Sequence, residues 1–133
     1  MKKIDLIYIV EDDPIAVILA KRRIELHPQF GNCQVFANGE EAINYLHQVV
    51  EGIGKLPNLI LLDLNMPVMD GWQFLDKYVH QYPQILVPVY ILTSSIHPQD
   101  IARAKSYPLV KGFISKPLTQ EVMDNILAEL TSQ

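Results

Sequence analysis

The sequence predicts an α/β protein whose single parallel sheet is doubly wound, with helices on both faces. Three observations carry that prediction: five short apolar runs, longer amphipathic segments alternating with them, and polar residues where four of the five runs end. Parallel strands need this alternation, because each must be joined to the next by a crossover long enough to form a helix. The runs fall at residues 6–10, 34–37, 59–62, 87–92 and 112–114. The third and fourth are continuous enough to be buried on both faces.

Each helix has its own start signal. After the first strand, Asp13 can cap a helix with Pro14 at its first position, where the missing N–H costs nothing. After the second strand, Asn38 followed by Glu41 resembles a capping box. Residues 50–57, with Gly52 and Gly54, read as the one flexible connection of some length. Asp70-Gly71 opens a third helix with Trp72, Leu75, Tyr78 and Val79 on one stripe, closed by Tyr82-Pro83. Pro98 fits the first turn of a short fourth helix ending near Pro108. Thr119 caps a fifth, whose apolar stripe is Val122, Met123, Ile126, Leu127 and Leu130. The expected result is a (βα)5 sandwich of strand order 2-1-3-4-5 with right-handed crossovers, the order being taken over from other doubly wound sheets.

Bulk properties exclude several classes. A chain of 133 residues, 49% hydrophobic and 20% charged, suits one globular domain spanning residues 1–133. With a net charge of −4 and no basic run longer than Lys2-Lys3 or Arg22-Arg23, direct nucleic-acid binding is not expected. Cys33 is the only cysteine, so neither an intramolecular disulfide nor a cysteine zinc site can form. The apolar run at 6–10 is cut short by Glu11-Asp12-Asp13, and no segment is suited to cross a bilayer. The expected setting is the cytoplasm.

In an open parallel sheet the loops leaving the strand ends share one crevice. Strand one ends in Glu11-Asp12-Asp13, strand three in Asp63-Leu64-Asn65-Met66-Pro67, strand four in Thr93-Ser94-Ser95 and strand five in Ser115-Lys116-Pro117. Three carboxylates, a hydroxyl and an ammonium should therefore meet. Glu11, Asp12 and Asp63 would repel one another unless a hard divalent cation joined them, and magnesium is the natural one.

These motifs, in this order along nearly the whole chain, resemble the bacterial response-regulator receiver domain of two-component systems, in the form without an output domain. The resemblance rests on Glu11-Asp12, on Asp63-Leu64-Asn65-Met66-Pro67 with Met69-Asp70-Gly71, on Thr93 and on Lys116-Pro117. It implies the flavodoxin-like form of the sandwich and a phosphoryl group accepted on Asp63 from a sensor histidine kinase or phosphotransfer protein. Such a chain is a switch that catalyses only its own phosphorylation and dephosphorylation. For magnesium, the resemblance makes Asp12 and Asp63 direct ligands, Glu11 a ligand through water and Asn65 a ligand through its backbone carbonyl. Lys116 would contact the phosphoryl group and Thr93 would move to hydrogen-bond it, with Phe113 as the conformational aromatic. The signal would leave through the fourth helix, fifth strand and fifth helix to a downstream protein. A cis Lys116-Pro117 bond is also implied, against a base rate of about 5–6% for X-Pro bonds.

Plainer readings stand beside these. Asp13, next to Pro14, reads as a cap rather than a ligand. Thr93 alone could be a strand-end residue, Lys116 a surface lysine and Phe113 plain core. His27, His47, His80 and His97 lack ligand spacing and read as surface or capping residues. Ser94 stands where the family often has alanine, and Ser106-Tyr107-Pro108-Leu109-Val110 replaces a common Ala-Gly turn. A haloacid-dehalogenase-type phosphatase needs a second aspartate two residues after the nucleophile, where this chain has Asn65. A flavin or nucleotide module needs a glycine-rich phosphate loop, where this chain has Glu11-Asp12-Asp13-Pro14.

Overall fold

In a computed structural model that describes residues 2–94 and 96–132, five strands and five helices alternate without exception. They are β1 (Ile4–Val10), α1 (Pro14–Leu26), β2 (Phe30–Phe36), α2 (Gly39–Val50), β3 (Leu59–Leu62), α3 (Gly71–Gln81), β4 (Val89–Thr93), α4 (Pro98–Ala104), β5 (Val110–Ser115) and α5 (Gln120–Thr131). The strands form one parallel sheet in the order β2-β1-β3-β4-β5, as expected.

Period-two alternation divides the sheet between two cores. Tyr8 and Val10 of β1, Ile60 and Leu62 of β3, and Val89 and Ile91 of β4 face α2 and α3, where Ala42, Leu46, Phe74, Leu75 and Tyr78 cover them. Ile7, Ile9, Leu59, Leu61, Tyr90 and Leu92 point the other way, under Ala20 and Ile24 of α1 and Met123 and Ile126 of α5. All of these side chains are buried, which is why the central runs look uniformly apolar in sequence.

The caps follow the expected chemistry with one variation. Asp13 accepts from Ile15 N (3.0 Å) and Thr119 from Val122 N (3.2 Å). Asp70 and Gln73 form a full capping box on α3. At α2, Asn38 accepts from Glu41 N (2.9 Å), but the Glu41 carboxylate reaches past the cap to Ala37 N (3.1 Å). Only the Asn38 half of a capping box forms, and the Glu41 side chain takes the N–H one residue before the cap instead of the N-cap's own.

Several boundaries differ from the sequence expectation. β2 starts at Phe30 rather than residue 34, because Phe30, Asn32 and Cys33 pair with β1 and carry Gly31 between them, despite the weak strand propensity of Gly31 and Asn32. β4 starts at Val89 rather than residue 87, since Pro88 has no N–H for the ladder. α4 ends at Ala104, well before Pro108, and α3 also buries Phe74, which lies off the expected stripe. His27 caps the C-terminus of α1, as one of the two expected readings had it, but it is buried rather than on the surface: its ring lies against Phe30, Nδ1 accepts from Gln29 N (3.1 Å) and Nε2 donates to Asp124 Oδ1 (2.7 Å), linking α1 to α5. The connection over residues 51–58 is tied down by the Tyr8 hydroxyl on Lys55 O (2.6 Å) and by Asn58 Oδ1, which accepts from Asp5 N and Leu6 N (both 2.9 Å).

Candidate functional site

The sheet order reverses beside β1, and the crevice opens where β1 and β3 end. Ladder bonds carry the geometry one residue beyond each strand. Glu11 N donates to Phe36 O and Asp63 N to Val10 O (both 2.9 Å), while Lys116 N donates to Thr93 O (2.8 Å). Rigid backbone thus places Glu11, Asp63 and Lys116, rather than the loops that follow.

Glu11 and Asp63 are buried, at 2% and 5% exposure, whereas Asp12 is exposed. One carboxylate oxygen from each lies within 4.8 Å of the others, the only such acidic cluster among the described residues. Lys116 Nζ lies 2.5 Å from Glu11 Oε1 and 3.8 Å from Asp63 Oδ1. Two further N–H groups support the carboxylates: Asp13 N donates to Glu11 Oε2 (3.2 Å) and Asn65 N to Asp63 Oδ1 (3.4 Å). Burial, then a hydrogen bond to Glu11 and the charge on Glu11, push the Asp63 carboxyl up to about 7, with Lys116 and Asn65 N–H pulling the other way.

These residues fit a hard cation. Glu11 Oε1 is fully buried, and the Lys116 ammonium in ionic contact with it is shared with Asp63. A buried carboxylate oxygen left in that condition needs further compensation. Oxygen donors from three acids at this separation are what magnesium or manganese takes, usually with water completing the shell.

The remaining expected residues lie close by. Thr93 is buried at the end of β4, paired in register with Ser115, and Phe113 is half-buried against the α2/α3 core. Asn65 has an exposed side chain, Ser94 is exposed, and the Lys116-Pro117 bond is cis. Asp13 acts as a cap, yet its N–H also orients Glu11, a contact that its side-chain chemistry does not announce. Val68 was not singled out from sequence, though its φ of 72° sits in the loop directly after Asp63-Leu64-Asn65-Met66-Pro67. Nothing in its residue type signals this, since a β-branched side chain disfavours that region.

Residues 7–128 match the response regulator receiver domain family. The chain is 30% identical over 125 residues to the probable methanogenesis regulatory protein FilR2 of Methanothrix harundinacea, covering 94% of this chain and 80% of that one. It spans only 23% of a protein-glutamate methylesterase of Pseudomonas putida, with 36% identity over 85 residues. Among solved structures, a two-component response regulator from Cytophaga hutchinsonii superposes with a TM-score of 0.90 at 29% identity, covering 99% of this chain and all of that one. The Mn2+-bound form of response regulator Rcp1 gives 0.74 at 26% identity, covering 96% and 92%. The crevice acids, the strand order and the match across nearly the whole chain agree, and the chain belongs to the response regulator receiver domain family.

Proposed function

We propose that this receiver accepts a phosphoryl group on Asp63 from a phosphohistidine of a sensor kinase or phosphotransfer protein, and signals through a phosphorylation-dependent protein contact. The observation that carries this reading is the buried Asp63 carboxylate, held at a strand end with Glu11, Asp12 and Lys116 around it. An Asp63 oxygen attacks phosphorus as the P–N bond of the donor breaks, its electrons returning to the imidazole nitrogen, and an acyl phosphate results. Bound magnesium, held by Asp12, Asp63 and the Asn65 carbonyl with Glu11 through water, would neutralise charge on the phosphoryl oxygens. That response regulator Rcp1 has an Mn2+-bound form supports a divalent cation for this chain.

Lys116 is placed to shift from Glu11 toward a phosphoryl group on Asp63, and Thr93 to donate its hydroxyl to the same group. Phe113 then turns into the space that Thr93 leaves, reshaping α4, β5 and α5 for a downstream protein. The receiver catalyses only its own phosphorylation and dephosphorylation, and its expected setting is the cytoplasm. Incubation with acetyl phosphate and magnesium should add one phosphoryl mass, not gained when EDTA is present from the start and absent in Asp63→Asn. Persistent labelling of Asp63→Asn would place the acceptor elsewhere.

A further inference from the structure

Burial anchors α4 weakly, because Ala104 is the only buried residue among its seven. Its C-terminal end is held instead by side chains shared with α3. The Arg103 guanidinium lies 4.5 Å from the centre of the Trp72 ring. Tyr107, in the turn after α4, sets its ring 5.9 Å from that of Trp72 with the planes 30° apart. The Tyr107 hydroxyl donates to Asp76 Oδ1, one helical turn beyond Trp72 on the same face of α3.

Both ends of this cluster are fixed by backbone. Tyr107 N donates to Ala104 O (2.9 Å) and Val110 N to Tyr107 O (3.0 Å), so the tyrosine belongs to a closed turn between α4 and β5. That turn is the segment in which this chain departs from the Ala-Gly pattern. On the other side, Trp72 lies in the first turn of α3, where Gly71 N donates to Leu64 O (3.0 Å), directly on the loop that carries Asp63. One ring therefore stands between the acceptor loop and the far end of α4.

We propose that Trp72, Asp76, Arg103 and Tyr107 form a latch that fixes α4 against α3 and must open when α4 shifts, so that it sets how readily a phosphoryl group on Asp63 reshapes the output face. The latch rests on the phosphoacceptor reading above. Contacts made in the present arrangement and lost when α4 moves oppose the shift, and deleting them favours it. Linkage then requires that an opened latch tighten the binding of a phosphoryl analogue at Asp63 by the same factor.

Trp72 is the only tryptophan in the chain, so its emission reports on the latch directly. Beryllofluoride with magnesium should change Trp72 emission in the natural sequence and leave it unchanged in Asp63→Asn. Tyr107→Phe, which keeps the ring, and Asp76→Ala should each raise the apparent affinity for beryllofluoride, followed by amide shifts, about fivefold. The double variant should gain no more than either single one, because both remove the same bond. Arg103→Ala, at an exposed position, should also raise affinity. Silent Trp72 emission together with unchanged affinity in folded Tyr107→Phe and Arg103→Ala overturns the latch. Intact mass after acetyl phosphate separates the two ideas: no gain at Asp63 overturns the phosphoacceptor reading and the latch with it, whereas a gain with silent Trp72 emission and unchanged variant affinities overturns the latch alone.

Discussion

Asp63 is a carboxylate whose surroundings resist its ionisation. With its carboxyl near 7 when folded and an ordinary value near 3.8 when unfolded, the native state without metal binds more protons between those limits. Stability of the metal-free protein should therefore fall as pH rises from about 4 to about 7 and then level off. Replacing the carboxylate removes that loss, by on the order of 1–3 kcal/mol above pH 7. In thermal melts with EDTA, the advantage of Asp63→Asn over the natural sequence should be small at pH 4 and several degrees at pH 8. Magnesium should shrink it by binding only the folded, ionised site. A gap that is constant with pH would mean that Asp63 titrates normally. Val68 stores strain of another kind: at 74% exposure and φ 72°, it is spanned by the bond from Met69 N to Pro67 O (3.0 Å), a three-residue γ-type turn. Val68→Gly should raise the melting temperature, stabilising by about 1 kcal/mol, because the side chain contributes little packing and its backbone conformation is costly. An unchanged or lower melting temperature would show that no strain resides there.

At the level of elements, the N-terminus of α3 is the most constrained feature of the site. A Cβ on Gly71 would stand 2.6 Å from Asp63 O and 2.8 Å from Leu64 Cα, both backbone atoms that cannot move without moving the acceptor. Gly71→Ala should cost about 2–3 kcal/mol and slow acetyl phosphate labelling of Asp63, since the loop must open to admit the methyl group. Wild-type stability and labelling would show that the helix slides freely along the loop. The helix starts were legible from sequence because a cap is a local arrangement: Asp13, Asn38, Asp70 and Thr119 all accept from the amides expected of them. The start of β2 was not, because Phe30 and Asn32 become strand through pairing with β1, with Gly31 held between them.

For the molecule as a whole, the issue is how a change at one end of the sheet reaches its flank. Thr93 and Phe113 lie on adjacent central and edge strands, with Phe113 opposite Ile91 in the β4–β5 register and half-exposed toward α4. Phe113→Ala should still be phosphorylated on Asp63, while amide shifts caused by a phosphoryl analogue should weaken beyond Thr93. In the natural sequence those shifts should extend through residues 98–118. Confinement to the loops around Asp12, Asp63 and Lys116 would remove β5 and α4 from the output surface.

The sequence by itself determined the alternation of elements, the helix caps and which residues leave the strand ends, because periodicity and capping are properties of neighbours along the chain. From the strand-end residues alone, an acidic crevice with an ammonium nearby was foreseeable. Only the tertiary structure decided that Lys116 sits closer to Glu11 than to Asp63, that His27 is buried against Asp124, and that Tyr107 reaches across to Asp76. Each of those contacts joins residues dozens of positions apart, and it is set by sheet order, register and side-chain packing rather than by any local pattern.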